Sequence, residues 1–242
     1  MSVVLRLTLR ADDPETCRLI ARLVRRAADP ARARGRRRPA GRRGVVLVPT
    51  DGLGELLRSV APRLAAADPE LFGDLRVAAE VEGAVPDGRS AVLALREEAA
   101  LLDAAARACP EPAVRVVFTP HRLHDNWFSH WDGDRRSALV SMADWDGRFA
   151  VPPRAFVAYQ AVLHGLRLLG AGYDPEGLAH LETRGCLFDF CRNRPDVEIK
   201  LQAGDFCPSC AAAMTAAGLP VRRLLRLARV IRRLAGTPVS AQ

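Results

Sequence analysis

The sequence predicts an α/β fold: a mixed sheet with flanking helices, closed at its C-terminal end by a four-cysteine zinc-binding subdomain. Three observations lead there. Strand-like apolar runs alternate with helical stretches through the first half of the 242 residues, the ordering of an α/β sheet. A stretch at 152–170 is helical in pattern and apolar around almost its whole circumference, and such helices are buried. Four of the six cysteines then fall within residues 186–210.

Each element has its own signal. VVLRLTL (3–9) is rich in valine and leucine and reads as a strand. DDPETCRLIARLVRRAA (12–28) has an acidic start, a proline in its first turn and a basic end, all helix signals. The arginine-rich stretch 30–43 reads as a loop or a solvated arm. GVVLVPT (44–50) is a strand of the buried type, and 51–68 a helix kinked or interrupted at Pro62. LRVAAEVEG (75–83) and SAVLAL (90–95) read as strands, 96–108 as a helix, and AVRVVFT (113–119) as the next strand.

Residues 120–145 predict a long aromatic loop or hairpin leading into a strand at SALVSM (137–142), with Asp132, Gly133 and Asp134 as the turn. In the helix that follows, Pro152 and Pro153 suit the start and Gly170 the end. Its one polar stripe is Gln160, His164 and Arg167, spaced i, i+4, i+7. PDVEIKLQAG (195–204) stays ambiguous. Val197, Ile199 and Leu201 alternate like a strand, while Pro195 and Gly204 can bracket a short helix. PSCAAAMTAAG (208–218) reads as helical. The divisions are an α/β part at 1–112, a cysteine-bearing part at 113–217, and a basic helix and tail at 218–242; one globular domain can hold all three.

Nearly half the residues are apolar, enough for a sizeable core without disulfides. The opening MSVVLRLTLRADD lacks signal-peptide features, and no apolar stretch reaches the roughly 18 residues needed to span a bilayer. The expectation is a soluble, cytoplasmic protein. In that compartment thiols stay reduced, so clustered cysteines predict metal. The net charge is +8, with 35 arginines and one lysine. Seven arginines lie in 32–43 and six in 221–233, so without those thirteen charges the +8 chain is left at −5.

The cysteines run Cys186-x4-Cys191, fifteen residues, then Cys207-x2-Cys210. Two close pairs across a short connection is the pattern of a tetrahedral zinc site, in which each thiolate reaches one ion at about 2.3 Å. Four thiolates around Zn²⁺ leave a charge of −2, which Arg184, Arg192, Arg194 and Lys200 are near enough in sequence to offset. An all-cysteine site keeps no open position and is structural. Cys17 and Cys109 have no ligand-type neighbour and read as small core residues. His121, His124 and His130 form either ordinary loop contacts or a second metal site with His164 or His180, and Asp125 or Glu182. His180 and Glu182 otherwise orient the zinc loop or cap the surface.

The order strand, edge loop, strand, buried helix, C-x4-C, C-x2-C resembles the archaemetzincins, a family of zincin-like metallopeptidases, over residues 113–217. The resemblance implies a zincin-like scaffold with an H-E-x-x-H helix, a further histidine and a structural zinc on the four cysteines. Here the ligand pair falls on Gln160 and His164, the catalytic glutamate on Ala161, and the further histidine on Gly185. Alanine cannot take a proton from water, so the expectation is a scaffold without a peptidase centre, acting as an interaction or regulatory module. ETRGCLFDFC (182–191) is also similar to uncharacterised bacterial domains encoded near caspase-like conflict systems. If the chain is instead a metal-dependent hydrolase, His164, His180, Glu182 and His124 are its candidate residues.

LPVRRLLRLARVIRRLAG (219–236) is an amphipathic helix with Leu224, Leu227 or Ala228, Ile231 and Leu234 along one side. It is either a docked terminal helix with a solvated basic face or a surface for an acidic partner, membrane or nucleic acid. Arg36, Arg37, Arg38, Arg42 and Arg43, with Arg222, Arg223, Arg226 and Arg229, are the candidate basic patch. A protein partner is the first expectation and nucleic acid the alternative.

Overall fold

The computed structural model describes residues 44–82, 91–111, 113–145, 147–169, 180–216 and 218–236. The strand expected at 3–9, the helix at 12–28 with Cys17, and the arm with Arg36, Arg37, Arg38, Arg42 and Arg43 lie outside them.

Strands β1 (Val45–Pro49), β2 (Arg76–Val77), β3 (Val114–Thr119), β4 (Ser129–Asp132) and β5 (Ser137–Ser141) form one sheet in the order β2-β1-β3-β5-β4. All neighbours are parallel except β4, which runs antiparallel to β5. The sheet is therefore mixed, as the sequence predicts. Every residue of β1, β3 and β5 is buried. Both faces of these strands are covered, so β1 reads as an unbroken apolar run, while the buried Arg115 of β3 donates to the Cys109, Glu111 and Arg135 carbonyls.

Two expected strands come out shorter. Of 75–83 only Arg76 and Val77 pair in register with β1, although the Ala78 and Val81 N–H groups still donate to Leu47 and Pro49 carbonyls. Of 90–95 only an isolated bridge from Val92 to Arg122 appears among the described residues. Helix α3 (Leu95–Ala108) begins before the apolar run ends, because the Glu97 carboxylate accepts the Ala94 N–H at 2.7 Å and starts the helix there.

Helix α1 (Gly54–Ala67) runs through Pro62 without interruption. Burial of Leu57, Val60, Ala61 and Leu64 on one face offsets the roughly 3 kcal/mol that an interior proline costs. A short helix α2 (Pro69–Phe72) follows, capped by Asp68. Helix α4 (Pro153–Gly165) continues into a 3₁₀ turn at Leu166–Leu169. The ambiguous 195–204 stretch is helix α5 (Asp196–Ala203). Gly204, at φ +50°, ends it in the left-handed conformation, where a Cβ would meet Arg232 Cγ at 2.2 Å. Helices α6 (Pro208–Ala216) and α7 (Val221–Ala235) complete the chain. No helix among the described residues is long and apolar enough to cross a membrane.

Strand alternation sorts the core into two layers. Val45, Leu47, Val116, Phe118, Ala138 and Val140 face α1, α4 and α7. Val46, Val48, Val117 and Leu139 face Leu101, Leu102 and Ala105 of α3. Leu224, Leu227, Ala228, Ile231 and Leu234 dock α7 as the sequence pattern predicts. Arg223 does not belong to a basic surface. It is buried, grips the Asp68 carboxylate with two 2.8 Å hydrogen bonds, and reaches Glu70 at 2.7 Å. A planar guanidinium matches a carboxylate in this way, and the pair ties α7 to the α1–α2 junction. Arg226 donates to the Ala67 carbonyl yet stays exposed, as do Arg222 and Arg229.

Candidate metal centre

The loop after α4 and the turn into α6 bring four ligand-type side chains together: His180, Cys186, Cys207 and Cys210. Each offers one atom, and these atoms lie within 4.8 Å of one another. Bonds of about 2.3 Å to a tetrahedral ion separate sulfur ligands by roughly 3.8 Å, so the group is of the right size for one ion. His180 Nε2 is 3.2 Å from Cys207 Sγ and 3.1 Å from Cys210 Sγ. Cys186 Sγ accepts the backbone N–H groups of Phe188 and Cys207, each at 3.4 Å.

The backbone explains how the four meet. His180 is held against the cysteine loop by its N–H to the Phe188 carbonyl (3.0 Å) and its carbonyl from the Phe190 N–H (2.7 Å). The buried Asp189 carboxylate accepts the N–H groups of Arg184 (2.6 Å) and Cys186 (2.9 Å), curling the loop around itself. Gly185 sits between them at φ +83°. A histidine at this position, where the archaemetzincin pattern has one, would be strained, and its Cβ would lie 2.9 Å from Ala203 Cβ. Burial raises the Cys207 thiol, but hydrogen bonds from Ser209, Cys210 and His180 outweigh it and bring it down to about 6. A lowered thiol is thiolate at neutral pH, the form that binds metal, whereas burial pushes the Cys186 and Cys210 thiols up, so binding at these two must release protons.

This grouping differs from the expected four-cysteine set at one position. Cys191 is not in the group among the described residues, and His180 takes its place. Cys191 is buried elsewhere in the loop, 3.9 Å from the Asp189 carbonyl, and Lys200 interacts with it. The buried Lys200 also donates to Tyr159 Oη and the Asp189 carbonyl, each at 2.8 Å. Three thiolates and a neutral imidazole would leave −1 around a divalent ion rather than −2. The four basic residues expected to offset it are placed otherwise. Lys200 serves Cys191, Arg194 lies over Phe128 at 4.3 Å and pairs with Asp144, and Arg184 pairs with exposed Glu182. Arg192 is exposed.

The polar stripe of α4 faces the edge strand. His164 is 2% exposed and stacks on Trp131 of β4, ring centroids 5.8 Å apart. The Arg167 guanidinium covers the same indole at 4.5 Å. Among the described residues, neither His164 ring nitrogen has a hydrogen-bond partner, and neither does Gln160 Oε1. Burial, and then the Arg167 charge, hold the His164 pKa well below the usual imidazole range. No loop histidine reaches His164 among the described residues. His121, also buried, faces Asp51 at 3.5 Å across the ends of β1 and β3.

The other two loop histidines meet a residue that sequence reasoning missed. Glu98 in the first turn of α3 is buried, with its Oε1 3.0 Å from His124 Nδ1 and its Oε2 3.1 Å from His130 Nδ1. The far nitrogen of His130 is 2.7 Å from Asp125 Oδ2. Burial alone would lower the His130 imidazole, but hydrogen bonds to Asp125 and Glu98 lift it to about 9. The signal for Glu98 was present: it lies on the stripe Glu98, Leu101, Leu102, Ala105, where a carboxylate falls on an otherwise apolar face. For His180 the signal was a histidine six residues ahead of Cys186.

Fold and site together define a mixed α/β protein with a candidate metal centre on its C-terminal loops. Comparison with known proteins adds no relative: no family model, no curated protein and no solved structure matches the chain.

Proposed function

We propose that the chain is a non-catalytic, zinc-clasped module on a degenerate metallopeptidase-like scaffold, working by interaction or regulation in a bacterial conflict system. The observation that carries this reading is the closed seam between α4 and β4. Where the resemblance would put a metal ligand and a catalytic glutamate stand Gln160 and Ala161, and Trp131 covers His164. A lone buried imidazole beneath an indole holds neither ion nor substrate. The chain order of an antiparallel edge strand, an inner strand, a buried helix and the cysteine loops supports the scaffold.

Zinc is the ion that suits His180, Cys186, Cys207 and Cys210, since three thiolates and an imidazole form a closed tetrahedral set. It supplies no chemistry there beyond fixing structure. The chain's own residues do the rest: Asp189 shapes the loop, His180 joins it to the α6 turn, and α5 and α6 are held against the core. The partner is read as an acidic protein surface meeting the outer face of α7, where Arg222, Arg226, Arg229 and Arg233 are exposed.

The test pairs a peptide-cleavage panel with partner capture on purified chain. The reading expects no chelator-sensitive cleavage, and binding that weakens with salt and with Arg222→Glu/Arg226→Glu/Arg229→Glu. Chelator-sensitive cleavage abolished by His164→Ala would overturn it. Salt-dependent retention on nucleic acid without protein capture would replace the protein partner with nucleic acid.

A further inference from the structure

The Glu98–His124–His130 group lies outside the clasp and outside the α4 seam, and neither uses it. Three separate elements build it: the first turn of α3, the loop after β3, and β4. Both imidazoles present the same nitrogen, Nδ1, to one buried carboxylate. Ligand atoms bonded to one ion at about 2.1 Å lie roughly 3.4 Å apart in a tetrahedron; here His124 Nδ1 is 3.0 Å from Glu98 Oε1, His130 Nδ1 is 3.1 Å from Oε2, and one ligand atom from each of the three residues lies within 4.8 Å of the others. Asp125 then bonds the far nitrogen of His130 at 2.7 Å. A carboxylate behind a ligating histidine is the usual support of a metal-bound imidazole, because it sets ring orientation and basicity.

We propose that Glu98, His124 and His130 form a second metal site, for a divalent first-row transition ion, with Asp125 as the positioning residue for His130. Two imidazoles and a carboxylate suit such ions and not calcium or magnesium, which take oxygen ligands. Three protein ligands leave at least one position free for water or an anionic group, and His124 lies at the surface. The clasp is closed and this site is open. Any exogenous ligand therefore binds here, at the outer face of the sheet edge, and not at α4.

Its rival is a metal-free network in which His130 bridges Glu98 and Asp125 as an imidazolium. Cobalt separates the two. The full-length chain, stripped and reloaded with Co²⁺, is expected to bind two ions: one with intense thiolate-to-cobalt absorption and one with only weak d–d bands. His124→Ala should lose the second ion and its bands while keeping the thiolate absorption and the fold. Should that variant fail to fold, Glu98→Gln makes the same test. A single ion with thiolate absorption in the unmodified chain would overturn the proposal, as would two ions retained in His124→Ala or Glu98→Gln. A single ion lacking thiolate absorption would support this site and sink the clasp, so the two readings fail separately.

Discussion

The α4–β4 seam and the C-terminal loops treat metal-binding side chains in opposite ways. In the loops, four ligand-type groups converge from two turns, and backbone N–H groups point at their sulfurs. In the seam, neither ring nitrogen of His164 has a hydrogen-bond partner among the described residues, Trp131 stacks on the imidazole, and Arg167 lies over the same indole. The difference is one of rigidity and redundancy. A site made of loop turns is held by the ion it binds. A site on a helix needs ligand types four residues apart, and here that spacing holds Gln160 and His164 with Ala161 beside the first.

The largest expected effect is at the loops. Cys207→Ser should release the ion and unfold α5 and α6, seen as loss of hydrogen-exchange protection over 180–216. Zinc contributes on the order of 10 kcal/mol to folding in small zinc peptides. Here Val197 and Leu201 of α5 and Cys210 and Met214 of α6 share one core with α4 and the sheet, so the same substitution should also lower the urea midpoint of the whole chain. Protection unchanged in α5 and α6 would break the comparison from the clasp side.

Trp131→Ala comes next. It removes the indole that both His164 and Arg167 contact and should cost about 2 kcal/mol in urea unfolding, less than the 3–5 kcal/mol typical of a fully buried aromatic. A near-neutral result would mean that the seam is not packed shut.

His164 gives the third test. Its folded pKa is depressed, so the unfolded chain binds the extra proton first, and stability must fall as pH drops below about 6.5. The slope attributable to His164 is about 1.4 kcal/mol per pH unit until its folded pKa is reached. His164→Leu should abolish that part of the acid dependence while leaving stability at pH 8 within about 1 kcal/mol. Parallel acid profiles for the two chains would show that His164 titrates freely. The smallest effect is expected from Gln160→His. It creates an i, i+4 histidine pair, yet Trp131 still covers His164, so the metal content should not rise.

Much of this was legible in the sequence. The run VVLVP is a buried strand because its composition leaves no solvated face, VRVVFT is buried with its Arg115 held by three carbonyls, and Pro153 begins α4 where its missing N–H does no harm. The cysteine spacing pointed to three of the four residues of the candidate metal group. What escaped was long-range choice. Cys191 and His180 are equally good ligands by type, and only the loop folded around Asp189 selects between them. Arg223 looked like its neighbours on α7 until Asp68, 155 residues away, claimed it. Glu98 was hidden among the carboxylates that ordinarily begin a helix. Pairing with β1 over only two residues of the 75–83 run depends on neighbours that no local pattern encodes.

The central claim is a zinc ion on the C-terminal loops and none on α4. X-ray absorption at the zinc edge of His124→Ala, which leaves the clasp intact, tests it most directly. The account predicts one ion per chain with three sulfur neighbours and one nitrogen at bonding distance. A zinc shell of nitrogen and oxygen alone, or a folded chain with no zinc, would contradict it.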